Sequence, residues 1–259
     1  MADIDVTNKR ILLVGCTGVL GRQYAKKLSE MGARLVLADR LESDATELSR
    51  ELKAELVLLD VNDETSVVSS VADAAGRYDG LDAVVNNAAV TSEGLRSHGD
   101  PFPDFEDYPL TLWNETIKTN LTGTFLVARE SGRFLRQTRG SLVNVSSIYG
   151  IVGPDHSIYE GQSFRSFPGY SASKAGVIGL TRWLATWWGK DGIRVNCITP
   201  GGVFNDHNEE FAENYGRRTP MGRMADRSEL EGILLFLLSD ASSYCTGQNY
   251  IVDGGYSAW

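Results

Sequence analysis

Short β-branched or leucine-rich runs alternate with amphipathic helical stretches along this chain, and that alternation limits the possible folds more than any other feature. Arg10 to Val14 is almost wholly apolar and is followed by a glycine turn and a helical pattern from Leu20 to Met31. Further strands are predicted over 34–39, 55–60, 81–86, 141–145, 193–199 and 248–252, with helical patterns near 63–78, 110–137, 170–190 and 226–239. Apolar strands separated by helices need cover on both faces, which predicts an α/β fold with a doubly wound parallel sheet. No Pro/Gly/Ser linker, composition shift or repeat divides the 259 residues, so a single domain over 1–259 is predicted.

Two long segments break the rhythm, near 91–109 and 148–169, both rich in Gly, Pro and acids. Each follows a strand on the carboxyl side of the sheet, where open α/β folds place ligands, so both are predicted to be substrate loops. A third polar segment, near 203–220, is predicted to form a lid. The net charge of −9 argues against a nucleic-acid or anionic-membrane partner. No apolar stretch reaches the roughly 18 residues a membrane span requires. The first residues lack a secretory signal, and Cys16, Cys197 and Cys245 show no metal-ligand spacing. The histidines at 98, 156 and 207 show none either, so no metal is predicted, and the expected location is cytoplasmic.

After the first strand, Gly15-Cys16-Thr17-Gly18-Val19-Leu20-Gly21 opens a helix. Glycines let a backbone turn tightly and approach a pyrophosphate, and the helix N-terminus beyond supplies N–H donors. Asp39 ends the next strand, where an acid accepts adenosine ribose hydroxyls and repels a 2′-phosphate, which favours NAD over NADP. Arg40 pulls the other way, and Asp39 capping the following turn is the plain alternative.

Of the ten tyrosines, only Tyr170 has a lysine four positions later, Lys174. Residues so spaced share a helix face. A phenol near pKa 10 becomes a workable acid/base only beside a cation, which the ammonium supplies; an ordinary surface contact is the other reading. Ser147, with Ser146 beside it, ends the fifth strand and is placed to hydrogen-bond a reacting oxygen. Asn120 in mid-helix either faces solvent or keeps a polar site.

Taken in order, Gly15 to Gly21, Asp60-Val61, Asn86-Asn87-Ala88-Ala89, Asn120, Val143 to Ser147, Tyr170 to Lys174, Pro200-Gly201 and Val252 to Gly255 resemble the short-chain dehydrogenase/reductases of the small single-domain, Rossmann type. The resemblance spans nearly the whole chain. It implies a catalytic set of Asn120, Ser147, Tyr170 and Lys174, with Asn120 holding a water that links Lys174 to solvent. It also implies a dinucleotide cradle from Gly15, Thr17, Gly18, Val19, Leu20, Asp39, Asp60, Val61, Asn87, Pro200, Gly201 and Val203, joined by Tyr170 and Lys174. The chain departs from the family pattern at Val14, where Thr is usual, at Ala89 and Asn205, in a glycine turn one residue short, and in a longer gap between Ser147 and Tyr170.

The expected reaction is hydride transfer between a secondary alcohol and its ketone, with NAD(H) as cofactor. Asp155, His156, Ser157, Tyr159, Glu160 and Gln162 suit a hydroxyl-rich ligand, and Arg217 and Arg218 suit a phosphate or carboxylate. Segments 147–150 and 154–155 are similar to family members acting on sugar acids, polyols or bacterial glycan sugar precursors. A sugar, sugar acid, polyol or activated sugar is therefore the first expectation and a 3-oxoacyl thioester or other lipid-like ketone the second. A non-catalytic dinucleotide sensor is the contrasting class. The resemblance further implies a homo-oligomer, dimer or tetramer, paired through the helices that carry Trp113, Phe125, Phe134, Trp183, Trp187 and Trp188, with the tail from Tyr256 to Trp259 reaching a neighbour's site.

Overall fold

The structure, a computed structural model, describes residues 3–92 and 103–259. Seven strands form one sheet in the order β3-β2-β1-β4-β5-β6-β7. They are β1 Arg10–Val14, β2 Arg34–Asp39, β3 Glu55–Leu58, β4 Ala83–Asn86, β5 Ser141–Val145, β6 Arg194–Pro200 and β7 Asn249–Val252. Every neighbouring pair runs parallel. The strands fall where the sequence places them, with the expected ends at 59–60, 81–82, 193 and 248 lying outside the ladder and β6 running one residue further, to Pro200.

The helices are α1 Val19–Glu30, α2 Glu42–Leu52, α3 Glu64–Arg77, α4 Leu110–Ile117, α5 Gly123–Thr138, α6 Pro168–Trp188, α7 Glu209–Arg217 and α8 Glu231–Leu238. Two of them, α2 and α7, lie outside the predicted helical stretches. The first buries Ala45 and Leu48, and the second buries Phe211, Tyr215 and Gly216. A wide turn of π type, Lys118–Thr122, joins α4 to α5 and contains Asn120. Much of the first predicted substrate loop, 93–102, lies outside the described residues.

Strand pleating divides the core into two layers. Ile11 and Leu13 pack with Tyr24 and Leu28 of α1, Leu48 of α2 and Leu234 of α8. Leu12 and Val14 face the other way, toward Val67 and Val71 of α3, Leu126 and Leu135 of α5 and Trp188 of α6. Each such side chain, fully buried, contributes about 1.5–3 kcal/mol. No helix among the described residues is long and apolar enough to cross a membrane.

The chain winds from β1 outward to β3, then returns past β1 to β4, so the carboxyl ends of β1 and β4 part and leave a crevice at the switch point. Gly15 turns there with φ +80°, and a Cβ on it would stand 2.5 Å from the Ala88 nitrogen. The Asn87 side-chain amide donates to the Gly15 carbonyl at 2.9 Å, tying the end of β4 to the glycine turn. At Gly21 a Cβ would run into that same carbonyl, so α1 seats directly on the turn.

Candidate active site

Helix α6 starts with Pro168, whose fixed φ suits a first helical position, and this sets Tyr170 and Lys174 one turn apart on one face. The Lys174 ammonium lies 5.7 Å from the Tyr170 ring centroid and donates to the Val145 carbonyl at the end of β5, at 2.9 Å. Lys174 is 3% exposed, and burial lowers its pKa to about 8. Ser146 donates to the Lys174 carbonyl at 2.8 Å and so fastens α6 to β5. Ser147 is the half-buried partner that faces the cleft; its hydroxyl also accepts from the Tyr149 N–H at 3.3 Å, capping the short turn Ile148–Gly150. The two adjacent serines thus divide into one that fastens and one that faces the ligand space.

Asn120 does not face solvent. It is fully buried, accepts from the Val90 N–H at 2.7 Å and donates to the Val90 carbonyl at 3.1 Å and the Ser173 hydroxyl at 3.3 Å. Ser173 in turn donates to the Tyr170 carbonyl at 2.8 Å, so Asn120 reaches the tyrosine's turn through one intermediary. No hydrogen bond joins the Asn120 side chain to Lys174 directly.

On the cofactor side, Gly18 caps α1 with no side-chain hydrogen bond, and Gly18, Val19 and Leu20 line the cleft. First-turn N–H groups without a side-chain cap, next to a glycine whose Cβ would meet only the Gly15 carbonyl at 3.8 Å, fit a dinucleotide pyrophosphate. Asp39 accepts from the Thr17 N–H and hydroxyl at 3.0 and 2.8 Å and from the N–H groups of Arg40 and Leu41 at 2.8 and 3.3 Å. The turn-capping use of Asp39 is therefore present, and the same bonds fix its charge beside the glycine turn. Asp60 accepts from the Asn62 N–H at 2.9 Å, and Val61 is buried against Gly123. Asn87, Pro200, Gly201, Val203 and Asn205 line the cleft, whereas Gly15, Thr17, Asp39, Asp60 and Val61 lie beyond its lining.

The cleft holds about 430 Å³, and its wall is aromatic to a degree the sequence did not suggest. Tyr149, Tyr159, Phe164, Phe167, Phe211 and Tyr215 all face it. Phe211 packs on Phe164 at 5.0 Å and on Tyr159 at 5.5 Å between ring centroids, and the Tyr149 and Tyr159 hydroxyls meet at 2.7 Å. Burial drives the Tyr149 and Tyr215 phenols upward, so both stay neutral. Of the polar loop residues expected at the ligand, only Tyr159 lines the cleft. Asp155 caps the turn His156–Tyr159 and pairs with Arg218 at 3.0 Å, Gln162 accepts from Asn208 at 2.6 Å, and Arg217 pairs with Glu213 at 3.6 Å. The spacing of Phe211 and Tyr215, one turn apart behind the Asn208 cap, was the available sign of this wall. Tyr256 stacks on Tyr215 of its own chain at 5.2 Å. No group of metal-ligating side chains occurs among the described residues.

Residues 16–257 match the family profile described as enoyl-(acyl carrier protein) reductase. A trans-4-hydroxycyclohexanecarboxylate dehydrogenase of Sinomonas cyclohexanicum is 34% identical, over 98% of this chain and 94% of its own. A short-chain dehydrogenase of Leptospira borgpetersenii with bound NAD+ superposes with a TM-score of 0.84 at 30% identity, covering 98% of this chain and 94% of its own. A gluconate 5-dehydrogenase of Burkholderia cenocepacia, in complex with NADP and tartrate, superposes with a TM-score of 0.86 at 26% identity, covering 99% and 98%.

The buried ammonium makes a stability prediction with a defined sign. Its folded-state pKa of about 8 lies below the usual 10.5, so between those values the unfolded chain binds more protons and stability rises with pH. Below pH 8 both states are charged and the burial cost is constant. Lys174→Met removes that cost, on the order of 3 kcal/mol, but leaves the Val145 carbonyl unpaired, which returns about 1–2 kcal/mol. At pH 7 the variant is expected to be the more stable protein by about 1–2 kcal/mol. Urea unfolding at pH 7 and pH 10 is expected to show the gap closing at the higher pH.

Proposed function

This chain belongs to the short-chain dehydrogenase/reductase family and is an oxidoreductase of alcohol and ketone groups, and from that premise we propose that it uses NAD(H) on a secondary alcohol or ketone carried by a compact, largely apolar skeleton. The observation that carries the substrate reading is the cleft itself: Ser147 and Tyr170 open into a space walled by six aromatic side chains. Apolar rings gain by burial there, whereas a bare polyol would leave hydroxyls facing aromatic faces without partners.

Bound dinucleotide supplies the hydride donor or acceptor. Gly18, Val19 and Leu20 hold its pyrophosphate, Asp39 its adenosine ribose, Asp60 and Val61 its adenine, and Asn87 with Pro200 to Val203 flank its nicotinamide end. Tyr170 Oη takes the alcohol proton in oxidation and returns it in reduction. The Lys174 ammonium, one turn along, favours the phenolate that this exchange requires. Ser147 Oγ donates to the substrate oxygen as charge develops on it, a contribution of the kind worth about 3–4 kcal/mol per donor. Asn120 positions the Tyr170 turn through Ser173, and in this reading a water at Asn120 exchanges protons between Lys174 and solvent.

The negative charge of Asp39 supports NAD over NADP, as does the NAD+ bound by the Leptospira protein, while NADP in the Burkholderia protein and Arg40 in this chain speak for the other dinucleotide. A second substrate reading, a sugar acid or polyol, is favoured by the gluconate 5-dehydrogenase likeness and by Ser92 and Asn205 in the lining. An acyl thioester is favoured by the family description and by the likeness to a 3-oxoacyl-[acyl-carrier-protein] reductase of Aquifex aeolicus, 32% identical over 98% of this chain and 99% of its own. Trp183 and Trp187, stacked at 5.3 Å and 56% and 59% exposed, support assembly through α6, which light scattering checks: a dimer or tetramer is expected and a monomer at micromolar concentration counts against it.

Two kinetic outcomes are expected. Tyr170→Phe lowers kcat on any accepted ketone by about 10²–10⁴-fold while NADH binding, followed by its fluorescence, persists; wild-type turnover in that variant overturns the assignment and brings back the dinucleotide-sensor reading. Wild-type protein favours NAD over NADP in kcat/KM, and Asp39→Asn, which removes the charge and keeps one of the two accepting oxygens, narrows that ratio about ten-fold. A panel of 4-oxocyclohexanecarboxylate, 5-ketogluconate and an acetoacetyl thioester ranks the three substrate classes, with the ring ketone expected first.

A further inference from the structure

We propose that Arg165 is a carboxylate anchor at the rim of this cleft, so that the substrate is a hydroxy or keto acid with an apolar skeleton. The inference rests on the substrate reading above and adds a charge to it. The chain as a whole has 34 acids against 25 bases, yet the cleft lining includes no Asp or Glu among the described residues. Its cations are Arg165 and Lys174. Lys174 is buried and bonded to Val145, which leaves Arg165 as the guanidinium that meets an incoming anion.

Arg165 is also held less firmly than the arginines of the short ion pairs. Arg10 grips Asp82 at 2.7 Å, Arg223 grips Glu229 at 2.6 Å and Arg218 meets Asp155 at 3.0 Å. The ion pair of Arg165 is with Asp104 at 3.9 Å, and both side chains are more than half exposed. An exposed pair at that distance is worth little, so a ligand carboxylate displaces it at small cost. The guanidinium fork matches a carboxylate in two parallel hydrogen bonds and gives up its hydration more readily than an ammonium.

Placement joins the charge to the chemistry. Arg165 sits between Phe164 and Phe167, both on the cleft wall, and the Phe167 ring packs on Tyr170 at 5.6 Å. An acid whose far end meets Arg165 lays its apolar body along those rings and presents its carbinol or carbonyl carbon to Ser147 and Tyr170. Because Arg165 stands at the rim, the carboxylate keeps part of its hydration, which avoids the full cost of burying a charge.

The test compares 4-oxocyclohexanecarboxylate with its neutral ethyl ester in wild type, Arg165→Gln and Arg165→Lys. Wild type is expected to favour the acid, and Arg165→Gln to lower the acid-to-ester ratio of kcat/KM by at least about ten-fold, chiefly through KM, with Arg165→Lys recovering part of it. An unchanged ratio, or a wild type that uses the ester as readily as the acid, overturns the proposal. NADH titration of Arg165→Gln separates the other anion: affinity for NADH falling in step with activity assigns Arg165 to a dinucleotide phosphate and also overturns it. If wild type reduces neither ketone, the substrate reading fails on its own, and calorimetric titration of the acid into NADH-loaded protein decides Arg165 independently. Tighter binding to wild type than to Arg165→Gln sustains the anchor, and equal binding removes it.

Discussion

A buried ammonium at the end of β5 is the constraint around which the site is arranged. Desolvation makes Lys174 expensive to keep charged, and burial draws its pKa down to about 8. The Val145 carbonyl offsets part of that cost by accepting from Nζ, and Ser146 fastens the lysine's own carbonyl to the same strand end. The remainder is a local loss of stability spent on a cation held beside a phenol. Under the proposed mechanism, stability and proton transfer therefore pull in opposite directions at one residue.

The rest of the site supports that pair from three directions. The Asn120 amide, in the wide turn between α4 and α5, secures the segment after β4 through Val90 and the first turn of α6 through Ser173. Asn87 joins β4 to the glycine turn, where Gly15 and Gly21 allow backbone approaches that any side chain would block. Asp39 holds Thr17 from the adjoining strand. Each of these bonds crosses between elements distant in sequence. Misplacing one strand end by an ångström would therefore be felt at Tyr170.

Substrate preference has a separate origin. The wall comes from the segment after β5 and from α7, which pack on each other through Ile158, Phe211 and Tyr215 rather than on the main core layers. Such a satellite cluster can vary without disturbing the sheet or the Tyr170–Lys174 pair. In the proposed reading its aromatic faces select for shape and apolar area, and Arg165 brings the one cation of the rim among the described residues. Reaction class and substrate class are thus carried by different parts of the chain.

The sequence by itself determined the reaction. Apolar runs spaced by helices set a doubly wound parallel sheet, and Tyr170 with Lys174, like the glycine turn with the helix it opens, stands within a single stretch of backbone where spacing alone sets geometry. Helices α2 and α7 are short, 11 and 9 residues, and were missed although Ala45 and Leu48 in one and Phe211 and Tyr215 in the other stand at helical spacing. Tertiary structure alone decided how the two loops and α7 meet. It turned Asp155, Gln162, Arg217 and Arg218 to partners of their own and left rings facing the cleft. A polar side chain in a loop carries no mark of whether its partner will be a ligand or another residue. That depends on contacts across tens of positions, which no local pattern encodes.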